Sequence, residues 1–353
     1  MRVLVAMSGG VDSSVAAALL LEAGHEVVGA TMKLWGGPSD SGCCSVADVE
    51  DARRVAQQLG ITHHVFNFTE EFDRAVVEPY VDAHRSGRTP NPCIECNRHL
   101  KFDRFLVRAG QLGFDAIATG HHARVDVDEM SGRWRLLRGA DALKDQSFVL
   151  YMLGQDELRR VLLPVGEMTK AEVRERAACL DLRTAAKPDS QDVCFVTKSG
   201  GRRAFLGPRI ALTPGRMVEV CTGKDVGAVE AVQLVTVGQR RGMSPSGGGD
   251  RRYALAVNVA ERTVVVGTDA DLRVSDVTLE QCRWVAGPPV GGPALLAQVG
   301  AHGAPVAARW DGAATRVVFD QPQRRVAPGQ SVVLYDGPSV VGGGIATATP
   351  TAA

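Results

Sequence analysis

No segment of this 353-residue chain is apolar for long enough to cross a bilayer. The longest unbroken apolar run, Val15 to Leu21, is far short of the ~20 residues a membrane helix needs. The start, Met1-Arg2 followed by Val3–Met7, lacks the apolar core of a secretory leader, so a cytoplasmic protein is expected. Net charge is also missing: 40 Lys and Arg balance 40 Asp and Glu. That excludes a histone-like polycation and leaves any nucleic-acid contact to local patches. Cysteine is sparse, eight in all, which excludes a disulfide scaffold. In a reducing compartment, clustered cysteines then become candidates for chemistry.

Glycine is unevenly spread. Sixteen of the 39 precede residue 200 and 23 follow. The first part alternates strand-like and helix-like segments. Val3–Met7, Val27–Met32, His64–Phe68 and Phe114–Ala118 read as strands. Val15–Ala23 and the 3-4-3 spacing of Val49, Ala52, Ala56 and Leu59 read as helices. Such alternation predicts an α/β domain over 1–205, a Rossmann-like parallel sheet with helices on both faces. Beyond it, short β-rich runs between Gly, Pro and Asp turns predict a small β-rich domain over 206–270. A C-terminal β-barrel is expected over 271–353.

Ser8-Gly9-Gly10-Val11-Asp12-Ser13-Ser14 lies between the first strand and the first helix. Two glycines allow close backbone approach to an anion, and the helix start offers unpaired N–H groups and a positive dipole end. No lysine follows the glycines to reach a γ-phosphate, so this is not the GxxxxGK[ST] loop. It suits holding pyrophosphate while the α-phosphate is attacked, with AMP as product.

Cys93 and Cys96 lie in Thr89-Pro90-Asn91-Pro92-Cys93-Ile94-Glu95-Cys96-Asn97, ahead of the basic stretch Arg98–Lys101. Neighbouring cations lower a thiol pKa and attract phosphodiesters. Cys194 stands far along the chain in Asp189–Phe195. From the residues alone, three readings stay open: a zinc site lacking a second ligand pair, a redox pair, or sulfur transfer by a persulfide that a second thiolate attacks. Cys43-Cys44, Cys179, Cys221 and Cys282 have no such settings.

The loop resembles that of the N-type ATP pyrophosphatases. With the cysteines, the chain is similar over nearly its whole length to the bacterial tRNA-specific 2-thiouridylases. MSGGVDSS at 7–14, TPNPCIECN at 89–97, ATGHHAR at 118–124, LKDQSFVLYML at 143–153, KPDSQDVCF at 187–195, VGQRRGM at 237–243 and APGQSVVLYDG at 327–337 carry the resemblance. It implies ATP- and Mg2+-dependent 2-thiolation of the wobble uridine of tRNAs for Lys, Glu and Gln. Cys194 matches the persulfide carrier and Cys96 the nucleophile that completes transfer, leaving a disulfide between them. Ala6, Met7, Ser8, Gly9, Gly10, Val11, Asp12, Ser13, Met32 and Gly120 match nucleotide-binding positions. Asn91, Pro92, Cys93, His121, Lys144, Asp145, Gln146 and Gln330 match positions that meet tRNA. A cysteine desulfurase or sulfur-relay protein is the implied donor, and a monomer is expected. A lesser expectation is a [4Fe–4S] cluster on Cys93, Cys96 and Cys194. The competing function is a small-molecule adenylating ligase of the argininosuccinate or GMP synthetase type.

Overall fold

The computed structural model describes residues 1–35, 45–189, 193–196, 200–243, 251–290, 292–301 and 303–347. Cys43, Cys44, Ser190–Asp192 and His302 lie outside them. So does all of the tail beyond Thr347, while Ala346, read with that tail, is buried at the end of a strand. No helix among the described residues is long and apolar enough to span a membrane.

The first domain contributes seven strands: β1 (Arg2–Ala6), β2 (Glu26–Lys33), β3 (His63–Asn67), β4 (Ala116–Ala118), β5 (Ala123–Val127), β6 (Trp134–Arg138) and β7 (Val161–Leu162). Five of them form a parallel sheet in the order β3-β2-β1-β4-β7. Its centre, β1, is apolar without alternation because both faces are covered. Val3 and Val5 pack with helices α1 (Val11–Glu22) and α2 (Val46–Gln58), while Leu4 faces the opposite layer with Phe72, Leu100 and Phe105. The result is an α/β sheet sandwiched between helices.

The second domain is a four-stranded sheet of β8 (Gly215–Glu219), β9 (Asp225–Val229), β10 (Tyr253–Asn258) and β11 (Thr263–Gly267), ordered β10-β11-β8-β9. Met217, Val229, Val264 and Val266 fill its core. The third domain has β12 (Arg273–Trp284), β13 (Ala294–Val299), β14 (Val306–Asp311), β15 (Arg316–Arg324), β16 (Ser331–Asp336) and β17 (Ser339–Ala346). Pairing of β12 with β17 closes these six into an antiparallel barrel. Closure removes the exposed sheet edges, and the Trp284 and Trp310 rings meet at 4.9 Å.

One connection crosses the linear division of the chain. The β5–β6 hairpin leaves the parallel sheet and joins the barrel, with Leu137 opposite Ser339 of β17. A backbone bond from Arg138 N to Pro338 O, 2.8–3 Å class at 2.9 Å, completes the join. Alternation of residue type marks a strand but not its partner sheet, so this pairing is a tertiary fact.

Candidate active site

The loop after β1 is shaped by what presses on it. Gly9 has φ +72°, and a Cβ there would lie 2.2 Å from the Asp48 carbonyl oxygen at the start of α2. Gly120, just beyond β4, approaches α1 so closely that a Cβ would sit 2.6 Å from Asp12 C and Ser13 N. Both positions therefore require glycine. Gly10 caps α1 in an extended conformation and supplies no side chain to the first-turn N–H groups. Those donors and the helix dipole remain directed at the loop, the arrangement an anion uses. Ser14 Oγ donates to Gly10 O at 2.8 Å, and Ser13 Oγ accepts from Ser8 N at 3.2 Å. Ala6 and Met7 lead into the loop, and Met7 N donates to Ala30 O at 2.8 Å. Met32 lies beside them on β2, 8% exposed.

Two lysines from later in the chain complete the anion cradle. Lys170 Nζ lies 2.6 and 2.8 Å from the two Asp12 oxygens and 2.9 Å from Asp189 Oδ1. Lys187 Nζ donates to Gly9 O at 3.0 Å and to Asp48 and Asp51, each at 2.7 Å. Burial would raise the Asp12 carboxyl, but hydrogen bonds from His122 and Lys170 hold it below the usual range. Burial likewise opposes ionisation of Asp189, yet Lys144 and Lys170 bring it down to about 2. Lys187 is pushed the other way: burial disfavours its charge, and Asp48 and Asp51 overcompensate. Lys170, Lys187, Arg174 and Asp189 were not singled out from the sequence. A lone lysine at a helix start reads as a solvated cation, and nothing local betrays the loop it reaches.

The segment after β4 carries the histidines. His121 is buried, with Nδ1 2.6 Å from Thr119 Oγ1 and its ring 5.6 Å from that of Phe102. Desolvation, with Lys101 and His122 nearby, holds its pKa well below the ordinary value, so the ring is neutral. His122 Nε2 lies 3.1 Å from Asp12 Oδ1. Gln146 grips the His122 backbone, accepting from its N–H and donating to its carbonyl, both at 2.8 Å. Asp145 is internal: it accepts from Gly139 N, Ser147 N, Ser147 Oγ and Arg138. Arg138 in turn donates to Gln298 at 3.0 Å and lies 3.6 Å above the Tyr335 ring of the barrel. Lys144 reaches Asp189 at 2.8 Å and is partly exposed.

The cysteine loop sits where three domains meet. Asn91 Oδ1 caps the short helix Pro92–Cys96 by accepting from Cys93 N at 3.1 Å, and Pro92 suits its first turn. One turn of helix separates Cys93, which is exposed, from Cys96, which is 8% exposed within the main core. The chain entering this helix is clamped by the barrel: Thr89 N donates to Pro328 O at 2.7 Å, Gln330 Nε2 donates to Thr89 O, and Arg88 pairs with Glu280. On its other side, Gly87 packs against Val257 and Val259 of the second domain. Cys194 packs against the same core as Cys96, and its neighbour Phe195 is locked among Trp35, Phe72, Tyr80 and Phe205. Among the described residues, no group of three His, Cys, Asp or Glu side chains is placed to hold a metal ion. The opposed exposure of Cys93 and Cys96 is one reason.

The family description "tRNA methyl transferase HUP domain" matches residues 1–198. Descriptions of a PRC-barrel domain and an aminomethyltransferase β-barrel domain match 203–268 and 274–346. The chain is 45% identical to a tRNA-specific 2-thiouridylase MnmA of Roseiflexus castenholzii, over 97% of this chain and 98% of that one. It is 47% identical to a protein of the same name from Chloroflexus aurantiacus, over 97% of each. Among solved structures, a 4-thiouridine synthetase–RNA complex with bound ATP overlays with a TM-score of 0.36 at 20% identity, covering 55% of this chain and 44% of that one.

Proposed function

This chain belongs to the tRNA-specific 2-thiouridylase family, and we propose how its own residues carry out the reaction. It is an ATP-dependent tRNA sulfurtransferase that thiolates uridine. The observation that carries the mechanism is the pairing of an uncapped, lysine-flanked phosphate loop with two thiol-bearing segments packed on one core. Methyl transfer would give neither feature a part. A small-molecule ligase would leave Cys96 and Cys194 idle.

The triphosphate binds across Ala6, Met7, Ser8, Gly9, Gly10, Val11, Asp12 and Ser13, with Met32 and Gly120 closing on the nucleoside side. Asp12 is the loop carboxylate that would hold Mg2+. The C2 oxygen of the wobble uridine in tRNAs for Lys, Glu and Gln attacks the α-phosphorus, and pyrophosphate leaves into the Lys170–Lys187 cradle. Lysine charge there stabilises the departing anion. The terminal sulfur of a Cys194 persulfide then adds to C2 and AMP departs. The Cys96 thiolate attacks the Cys194 sulfur, releasing the 2-thiouridine and leaving a Cys96–Cys194 disulfide. A cellular dithiol reduces that disulfide, and a cysteine desulfurase or relay protein reloads Cys194. The three thiols as placed do not fit corners of a [4Fe–4S] cluster, and no step is assigned to one.

For tRNA, Asn91, Pro92 and Cys93 form the exposed lip of the thiol helix, and His121, Lys144, Asp145 and Gln146 form the facing wall. Gln330 positions that lip from the barrel. We assign a monomer acting in the cytoplasm. The test is nucleoside mass spectrometry of a tRNA-Lys transcript incubated with protein, ATP, a desulfurase and cysteine. Cys194→Ser and Cys96→Ser are expected to abolish 2-thiouridine while sparing tRNA-dependent pyrophosphate release. Retained thiolation in Cys194→Ser would remove it as the sulfur carrier.

A further inference from the structure

The segment bearing Cys194 is anchored at both ends, by two different forces. Behind the cysteine, Phe195 is 3% exposed among four aromatic rings, an apolar anchor indifferent to charge. Ahead of it, Asp189 is held by Lys144 at 2.8 Å, Lys170 at 2.9 Å and Arg174 at 2.7 Å. Lys170 is the same ammonium that contacts both oxygens of Asp12 in the phosphate loop, and its side chain is 11% exposed. An ammonium has three N–H donors, and here three carboxylate oxygens surround it.

We propose that Asp189 and Lys170 form a nucleotide-responsive tether that positions the Cys194 thiol, a role that rests on the assignment of Cys194 as sulfur carrier. A triphosphate entering at the start of α1 needs the charge of Lys170, and with its donors occupied one carboxylate contact must yield. The Asp189 contact yields first. Asp189 keeps Lys144 and Arg174 when Lys170 leaves, whereas Asp12 would keep only its contact with His122. Nucleotide binding therefore loosens the charged end of the Cys194 segment and leaves the aromatic end fixed. The thiol becomes accessible when an activated uridine can be present and is held back when the site is empty. Such gating keeps a reactive persulfide from being spent on other thiols. Asp189 touches no reacting atom and is a positioning residue.

Alkylation of Cys194 by iodoacetamide, followed by peptide mass spectrometry, reads the tether directly. The protein is compared with and without α,β-methylene-ATP and Mg2+, and Cys221, exposed in the second domain, is the internal reference. Nucleotide is expected to accelerate Cys194 alkylation roughly three- to fivefold, the change a partly exposed ion pair supports. Asp189→Asn should react at the faster rate without nucleotide and gain little from it, and Asp189→Glu should restore the dependence. In turnover, Asp189→Asn should lower thiolation while tRNA-dependent pyrophosphate release stays within about twofold. An unchanged rate on nucleotide binding overturns the tether. So does a parallel rise at Cys221, or a parallel fall in pyrophosphate release. The Cys194→Ser thiolation assay separately decides the sulfur-carrier assignment, which alkylation does not touch.

Discussion

Acid should loosen the joint between the first two domains, through one histidine. His84 ends the helix Glu78–Arg85 and is 1% exposed. Its Nδ1 lies 3.3 Å from the Gln233 carbonyl of the second domain, the Tyr80 ring is 4.6 Å away, and Nε2 has no partner among the described residues. Burial lowers its pKa from 6.5 to about 4, against the Gln233 hydrogen bond and aided by Arg202. Because the folded pKa lies below the unfolded one, the unfolded chain takes up the proton first. The contribution is whole above pH 6.5 and is lost as pH falls towards 4. Integrated from pH 7 to pH 5, the loss is about 2 kcal/mol, rising to about 3 kcal/mol below pH 4. Urea unfolding at pH 7 and pH 5 measures it, with His84→Gln as reference, since Gln fills much of the space without titrating. The wild type should lose about 2 kcal/mol more than the variant between the two pH values. Equal losses would mean that the ring is hydrated or finds an acceptor on protonation, and the reasoning would fail.

Gly9→Ala places a methyl against the Asp48 carbonyl and forces φ +72° on a residue with a Cβ. Affinity for an ATP analogue, measured by titration calorimetry, should fall at least about tenfold, or 1.4 kcal/mol, with Ser8 and Ser13 untouched. Arg138→Met removes the partner of Asp145, whose side chain is 6% exposed, and breaks the link to Gln298 and Tyr335. Stability should drop by roughly 3 kcal/mol in a thermal melt, and Asp145→Asn in the same chain should recover part of it.

Sequence reasoning reached the parts of this protein whose chemistry is local. The apolar run of β1, followed by two glycines and a helix, can only turn sharply and present backbone N–H groups. Strand and helix periods mark the parallel sheet because each residue's face depends on its near neighbours. Cys96 and Cys194 stood out by chemical type, but only resemblance to a family gave them roles. What the tertiary structure alone decided is charge pairing and domain contact at long range. Lys187 meets Gly9 from 178 positions away and Lys170 meets Asp12 from 158. Asp145 and Gln146 turned out to be internal hydrogen-bonding residues as well as members of the wall assigned to tRNA. Gln330 and Glu280 of the barrel hold the loop that leads to Cys96. An ionic partner needs only the right charge at the right place, which many lysines in a chain of 353 residues could supply. Folding selects among them by bringing two distant backbones within a few ångströms, and no pattern of neighbours along the chain records that choice.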